Sequence, residues 1–143
     1  MATKFKFGLE KLLEIRIEKE DESKRNFTRT QREKQETERK LIGLKENYEK
    51  YSGIKEGESV VYQKIKRNYL FALDKGISET EKNLAIKKKE LEIRREDLIK
   101  KQIDRKTVDI LKERKHIEYI KEEDRKEQIL LDELALYSYI RSH

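Results

Sequence analysis

The sequence predicts an all-α protein, two long helices forming an antiparallel coiled-coil hairpin with the C-terminal helix overhanging. Three observations predict it. Of 143 residues, 46% are charged and only 34% hydrophobic, whereas a compact domain is usually about half apolar and a quarter charged. No proline and only five glycines are present, so little interrupts a helix. Ile77, Leu84, Leu91 and Leu98 recur every seven residues, and Ile103, Ile110 and Ile117 continue at the same spacing, the period of a helix that buries one narrow seam.

The first helix is expected over about residues 5–51. Leu13, Phe27, Leu41 and Tyr48 lie on one seven-residue ladder, with Glu20 and Lys34 on the two intervening rungs. Charged rungs weaken a seam but fix its register. Acid-before-base pairs four residues apart, such as Asp21 with Arg25 and Glu46 with Lys50, each add ~0.2–0.5 kcal/mol to a helix. The apex loop is expected at 52–58, where Ser52, Gly53 and Gly57 interrupt the pattern and Ser59 stands ready to cap the next helix. The second helix is then expected over about 59–140, running through Gly76 at a cost of ~1 kcal/mol. The step from Leu98 to Ile103 is five rather than seven, which predicts that the seam shifts around the helix there. One domain, 1–143, contains both helices.

A turn centred near Lys55 pairs residues whose numbers sum to about 111, which sets Leu13 opposite Leu98, Phe27 opposite Leu84, Leu41 opposite Leu70 and Tyr48 beside Tyr62. In that register the second helix continues for about 35 residues, roughly 50 Å, past the last paired layer. Ile110, Ile117, Ile120, Leu131 and Leu134 would then lack an intramolecular partner. This overhang is expected to be a docking element.

The sequence holds no motif that carries chemistry. There is no cysteine, no glycine-rich phosphate loop, and only His116 and His143 as histidines, so no catalytic residue, metal site or cofactor is expected. The longest apolar run, Tyr69 to Leu73, is five residues, far short of the ~20 that span a bilayer. The opening residues lack the apolar stretch of a secretory signal, and a cytoplasmic location is expected. Residues 82–116 hold thirteen bases and seven acids. That field could attract phosphate backbones, but a DNA-reading basic zipper needs a nearly acid-free segment ahead of its leucine ladder, so a solvated face that helps to dock an acidic protein is preferred and no nucleic acid is expected. Tyr48, Tyr51, Tyr62, Tyr69 and Phe71 gather on either side of the apex, with Leu44, Leu70 and Leu73. Part of that cluster closes the coil, and the remainder is an apolar patch suited to a protein interface.

Both ends of the chain carry a resemblance. Phe5-Lys6-Phe7, Leu9, Leu12-Leu13 and Arg16 are similar to the opening of the bacterial flagellar export protein FliJ family. Leu111-Lys112-Glu113-Arg114, Glu118-Tyr119, Glu122-Glu123, Arg125, Glu127-Gln128 and Asp132-Glu133-Leu134-Ala135 resemble its C-terminal helix. The resemblance implies a non-enzymatic stalk of the flagellar type III export apparatus, similar to the gamma stalk of rotary F-type ATPases. It implies three partners: the hexameric export ATPase FliI, whose central pore it enters and whose assembly and activity it promotes, the cytoplasmic domain of the export gate FlhA, and export chaperones. A peripheral position at the inner-membrane gate, reached through those partners, is implied with them. By position in the family, the gate-binding tip falls on Leu44, Tyr48, Tyr51, Tyr69, Leu73 and Gly76, while Asn47 and Thr80 depart from the family's pattern. The ATPase-binding end, chosen mainly by the overhang argument, is Phe5, Phe7, Leu9, Ile117, Ile120, Leu131 and Leu134.

Two other readings remain. A coiled-coil hairpin chaperone or tether would hold clients without an ATPase, although a prefoldin-like barrel needs strands that this apex cannot supply. A parallel homodimeric rod would place Glu20 and Lys34 against their own copies, which is costly.

Overall fold

The computed structural model describes residues 4–142. Residues 1–3 and 143, part of the domain expected over 1–143, lie outside the described residues. Two helices, α1 (Glu10–Tyr51) and α2 (Val60–Ser142), pack antiparallel as a hairpin, with no strand among the described residues. Contacts divide the chain into two compact units, one of residues 21–99 and one of the residues up to Glu20 together with those from Lys100 onward.

Residues 4–7 take no regular structure and a turn at Gly8–Leu9 leads into α1, where the Glu10 amide donates to the Phe7 carbonyl at 3.2 Å. At the other end the Ser52 hydroxyl donates to the Glu49 carbonyl at 2.8 Å, and Gly53 adopts a φ of 82°. That left-handed conformation ends a helix at little cost only in glycine. Ser59 caps α2, its hydroxyl accepting from the Tyr62 amide at 3.1 Å. From there α2 runs unbroken through Gly76.

In the loop-bearing unit, residues 21–99, the seam of α1 is formed by two ladders, Phe27, Lys34, Leu41 and Tyr48 beside Ser23, Thr30, Thr37, Leu44 and Tyr51. It faces Leu70, Ile77, Leu84, Leu91 and Leu98 beside Lys66, Leu73, Thr80 and Lys87 of α2. Much of what is buried is polar. Ser23, Thr30 and Thr80 are each 4% exposed or less, and their hydroxyls need partners. Ser23 donates to Asp97 Oδ2 at 2.8 Å, and Thr80 donates to the Gly76 carbonyl at 2.7 Å. Small hydroxyl residues at seam positions bring little apolar area, and Leu41, Leu73 and Leu91 are the fully buried apolar residues of this unit, each contributing about 1.5–3 kcal/mol.

The register differs from the one expected. Ser23 meets Asp97, Glu33 meets Lys87 at 2.8 Å, and Tyr51 meets Tyr69, all pairs whose numbers sum to 120. The pairs expected at 111, Phe27 with Leu84, Leu41 with Leu70 and Tyr48 with Tyr62, are therefore displaced, and Phe27 lies under the Arg95 guanidinium at 5.9 Å instead. The cause is the loop. Residues 52–58 do not reverse tightly around Lys55 but run on beside the first turns of α2, where buried Lys66 donates to the Gly53 carbonyl at 2.7 Å and to Glu58 at 3.0 Å.

In the termini-bearing unit, Arg16 donates to the Asp104 carbonyl at 2.7 Å, Glu10 pairs with Lys112 at 2.8 Å, and buried Glu20 is bonded to Arg105. Glu20 and Asp109 together hold the Arg105 guanidinium above its ordinary pKa. Leu13 and Val108 are the buried apolar residues, and because Arg16 with Asp104 and Glu10 with Lys112 sum to 120 and 122 rather than 111, the expected layer of Leu13 with Leu98 is displaced as well. The α2 ladder continues unshifted as Arg105, Lys112 and Tyr119. The expected change of seam to Ile103, Ile110 and Ile117 does not occur, and these remain 57%, 50% and 46% exposed. Ring contacts of the N-terminal segment reach Tyr119, and from Lys121 to Ser142 every residue except Glu123 is exposed. The uncovered part of α2 is thus about 22 residues, roughly 33 Å, shorter than the expected 35 because the register has moved.

Candidate functional site

Two surfaces concentrate exposed apolar side chains. The first lies on α2 in the termini-bearing unit. In a seven-residue repeat, positions two before the Arg105, Lys112 and Tyr119 ladder project away from the seam. Ile103, Ile110, Ile117 and Leu131 occupy that position, and Ile120 and Leu134 the one three residues further on, so all six share the outer face. Ile120, Leu131 and Leu134 are between 44% and 56% exposed. Lys100, Arg114 and Lys121 line one edge of this face.

Of the seven residues expected at the ATPase-binding end, Ile117, Ile120, Leu131 and Leu134 therefore lie together on the outer face. Phe5 does not join them. Its ring stands edge-on to His116 at 5.0 Å and against Tyr119 at 5.5 Å, beside the seam. Phe7 is half-buried and Leu9 is exposed.

The second surface lies in the loop-bearing unit. The Tyr51 and Tyr69 rings meet edge to face at 5.4 Å, with Lys50 Nζ 5.4 Å from the Tyr51 centroid. Tyr48 is 38% and Tyr69 42% exposed. Leu44 is half-buried against Gly76, and Leu73 is buried. The six residues expected at the gate-binding tip thus divide into a solvent-facing tyrosine set and a supporting set. The loop beside them is fixed by the Lys66–Glu58 pair, whose side chains are 7% and 12% exposed. The hydrogen bond from Lys66 holds the Glu58 carboxyl below its ordinary pKa of 4.5, against the opposing effect of burial.

The family model of the flagellar FliJ protein matches residues 5–143. The chain belongs to the flagellar FliJ family. It is accordingly a flagellar export component. Comparison with curated proteins and with solved structures returns no significant match.

In this FliJ-family chain no described helix is long and apolar enough to cross a membrane. No group of three or more His, Cys, Asp or Glu able to hold a metal occurs among the described residues. Two features escaped the reading of the sequence. The spacing of Ile103, Ile110 and Ile117 is that of a seam, and although Ile110 and Ile117 are expected to lack an intramolecular partner, only the side-chain directions show that this ladder extends the outer face. The first turns of α2 hold no acid between Ser59 and Leu73, and with Lys66 buried against Glu58 the exposed Lys64 and Arg67 form a cationic face whose mark in the sequence is that local absence of carboxylates.

Proposed function

We propose that this protein is the non-catalytic stalk of the flagellar type III export apparatus, inserting into and activating the hexameric export ATPase FliI and coupling it to the export gate FlhA and to export chaperones. The observation that carries the reading is a family match over nearly the whole chain, 5–143, on a hairpin whose longer helix leaves its last turns uncovered. A helix end with apolar residues on its outer face requires a partner to shield them from water. Ile117, Ile120, Leu131 and Leu134 are the residues that would enter the ATPase, with Phe5, Phe7 and Leu9 closing the seam beside them.

At the other surface Tyr48 and Tyr69 would touch the gate, with Tyr51 packed edge to face against Tyr69. Leu44, Leu73 and Gly76 would set the backbone that presents them. This is peripheral association with the membrane-embedded gate through protein contacts, from the cytoplasmic side.

The test is the hydrolysis rate and oligomer distribution of the cognate export ATPase with and without a stoichiometric amount of this protein. Faster turnover with a shift to hexamer is expected, and the I117K/L131K variant should lose both while keeping its helicity. Absence of stimulation by the unmodified protein would leave a hairpin chaperone or tether as the better reading, and undiminished stimulation by the variant would displace the binding end from this face.

A further inference from the structure

The loop and the first turns of α2 enclose a groove of about 550 Å³, lined by Ile54, Val60 and Leu70 among others and rimmed by Lys64 and Arg67. Its volume falls within the ~300–1,000 Å³ typical of ligand pockets. The walls are held in place, since Lys66, itself part of the lining, ties the Gly53 carbonyl and the Glu58 carboxylate to α2. Ile54 is 80% and Val60 69% exposed, an unusual presentation of aliphatic surface in a chain that is nearly half charged.

The charges around the groove are one-sided. Glu58 is its only acidic lining residue, and that carboxylate is engaged by Lys66. Lys64 and Arg67 make no hydrogen bond or ion pair with the described residues. Two uncompensated cations over an aliphatic floor select for a ligand that is apolar at its centre and anionic at its edges.

The groove is separate from the tyrosine surface. Val60 and Arg67 share one position of the seven-residue repeat and Tyr62, Tyr69 and Gly76 share another, with the two seam ladders of α2 between them. A ligand here would leave Tyr48 and Tyr69 accessible.

The geometry points to a second docking site, in which this groove takes a short acidic segment of a partner protein, one aliphatic side chain lodging against Ile54, Val60 and Leu70 while flanking carboxylates pair with Lys64 and Arg67. A protein segment is favoured over an anionic bilayer because the groove is concave, and a flat lipid surface would meet instead the convex face bearing Val61, Ile65 and Phe71. The site stands independently of the stalk reading, and its test uses no ATPase.

The test uses the full chain, isotope-labelled for NMR, and two blocked synthetic octapeptides, one alternating aspartate with leucine and the other lysine with leucine. The aspartate peptide should shift the resonances of Ile54, Val60, Lys64, Arg67 and Leu70, more weakly as salt rises, and the lysine peptide should not. The K64E/R67E variant, both changes on an exposed helical surface, should keep its helicity and reduce affinity for the aspartate peptide at least tenfold. Equal response to both peptides, no response at millimolar concentration, or undiminished affinity in the variant would overturn the proposal. Vesicles of anionic phospholipid that shift Val61, Ile65 and Phe71 when the aspartate peptide shifts nothing would assign the surface to lipid. Concentration-dependent self-association lost in the same variant would assign the groove to a second copy of this chain, and would equally overturn it.

Discussion

Leu44 lies over Gly76, its Cδ1 3.9 Å from where a β-carbon on residue 76 would stand. That is an ordinary van der Waals distance, and Gly76 has no positive φ that would exclude a side chain. Glycine inside a helix is about 0.5–1 kcal/mol less favourable than alanine. Gly76→Ala should therefore stabilise the hairpin by about that amount, read as a higher midpoint in thermal unfolding followed by circular dichroism. A lower midpoint would mean that the two helices approach each other more closely at this layer than the contact indicates.

Two neighbouring β-branched residues separate the inner from the outer face of α2. Val108 is 3% exposed and Ile110 50%. Val108→Ala should cost about 1–3 kcal/mol, whereas Ile110→Lys should change stability by no more than about 0.5 kcal/mol. Urea unfolding of the two variants decides this, and a reversed order would restore the seam to the Ile103, Ile110 and Ile117 ladder.

Register can be read chemically. A zero-length carbodiimide cross-linker should join Glu33 to Lys87 and Glu10 to Lys112, pairs that are each 2.8 Å apart. Peptide mass spectrometry that recovered links between residues summing to 111, and not these, would contradict the observed pairing.

The two helices, the break between them and the α1 ladder of Leu13, Glu20, Phe27, Lys34, Leu41 and Tyr48 were legible in the sequence because a seven-residue period survives in a charged chain. The register was not. Aligning apolar rungs weights leucines, while this seam buries Ser23, Thr30, Thr80, Glu20 and Lys66, residues that hydrophobicity alone places in water. The loop added a second error, because the Lys66 bond to the Gly53 carbonyl extends the pairing past the end of α1, and a lysine reaching backbone across thirteen residues leaves no mark on spacing. For the candidate surfaces, aromatic clustering pointed to Tyr48, Tyr51 and Tyr69. The outer ladder of Ile103, Ile110 and Ile117 is legible as a stripe, and the exposure of Ile110 and Ile117 agrees with their expected lack of an intramolecular partner, but period alone does not fix which way a stripe faces.

Glu20 and Arg105 are bonded across the helices with Glu20 almost wholly buried. Removing one member of such a pair leaves a charge without its partner, whereas replacing both by aliphatic residues removes the desolvation cost along with the attraction. Arg105→Met and Glu20→Leu should each lower the thermal midpoint, and the double variant should recover most of the loss. Additive losses in the double variant would show that the two side chains do not depend on each other.

Acid should loosen the loop. Glu58 has a folded-state pKa below its ordinary 4.5 because Lys66 donates to it. A depressed carboxyl contributes stability that is present above the unfolded pKa and lost as pH falls through the folded one. The loop should keep its structure from neutral pH down to about 4.5 and open below that, seen as faster amide exchange at residues 53–58 once intrinsic rates are corrected. Glu58→Gln should remove the pH dependence of exchange there. Glu33, lowered in the same sense chiefly by its hydrogen bond with Lys87, should weaken its own layer over the same range.

The Tyr51–Tyr69 contact joins residues only 18 apart, the Ser23–Asp97 bond joins residues 74 apart, and the Phe5–His116 contact closes the widest span of the three. Loop-closure entropy rises with span, and each layer that forms shortens the segment left to be closed for the next. The chain should therefore fold as a zipper nucleated at Tyr51 and Tyr69 and propagating toward the termini. With no proline, it has no slow isomerisation step to wait for. Unfolding would run the other way, so the N-terminal segment that packs on His116 and Tyr119 should be the first to detach and the last to return.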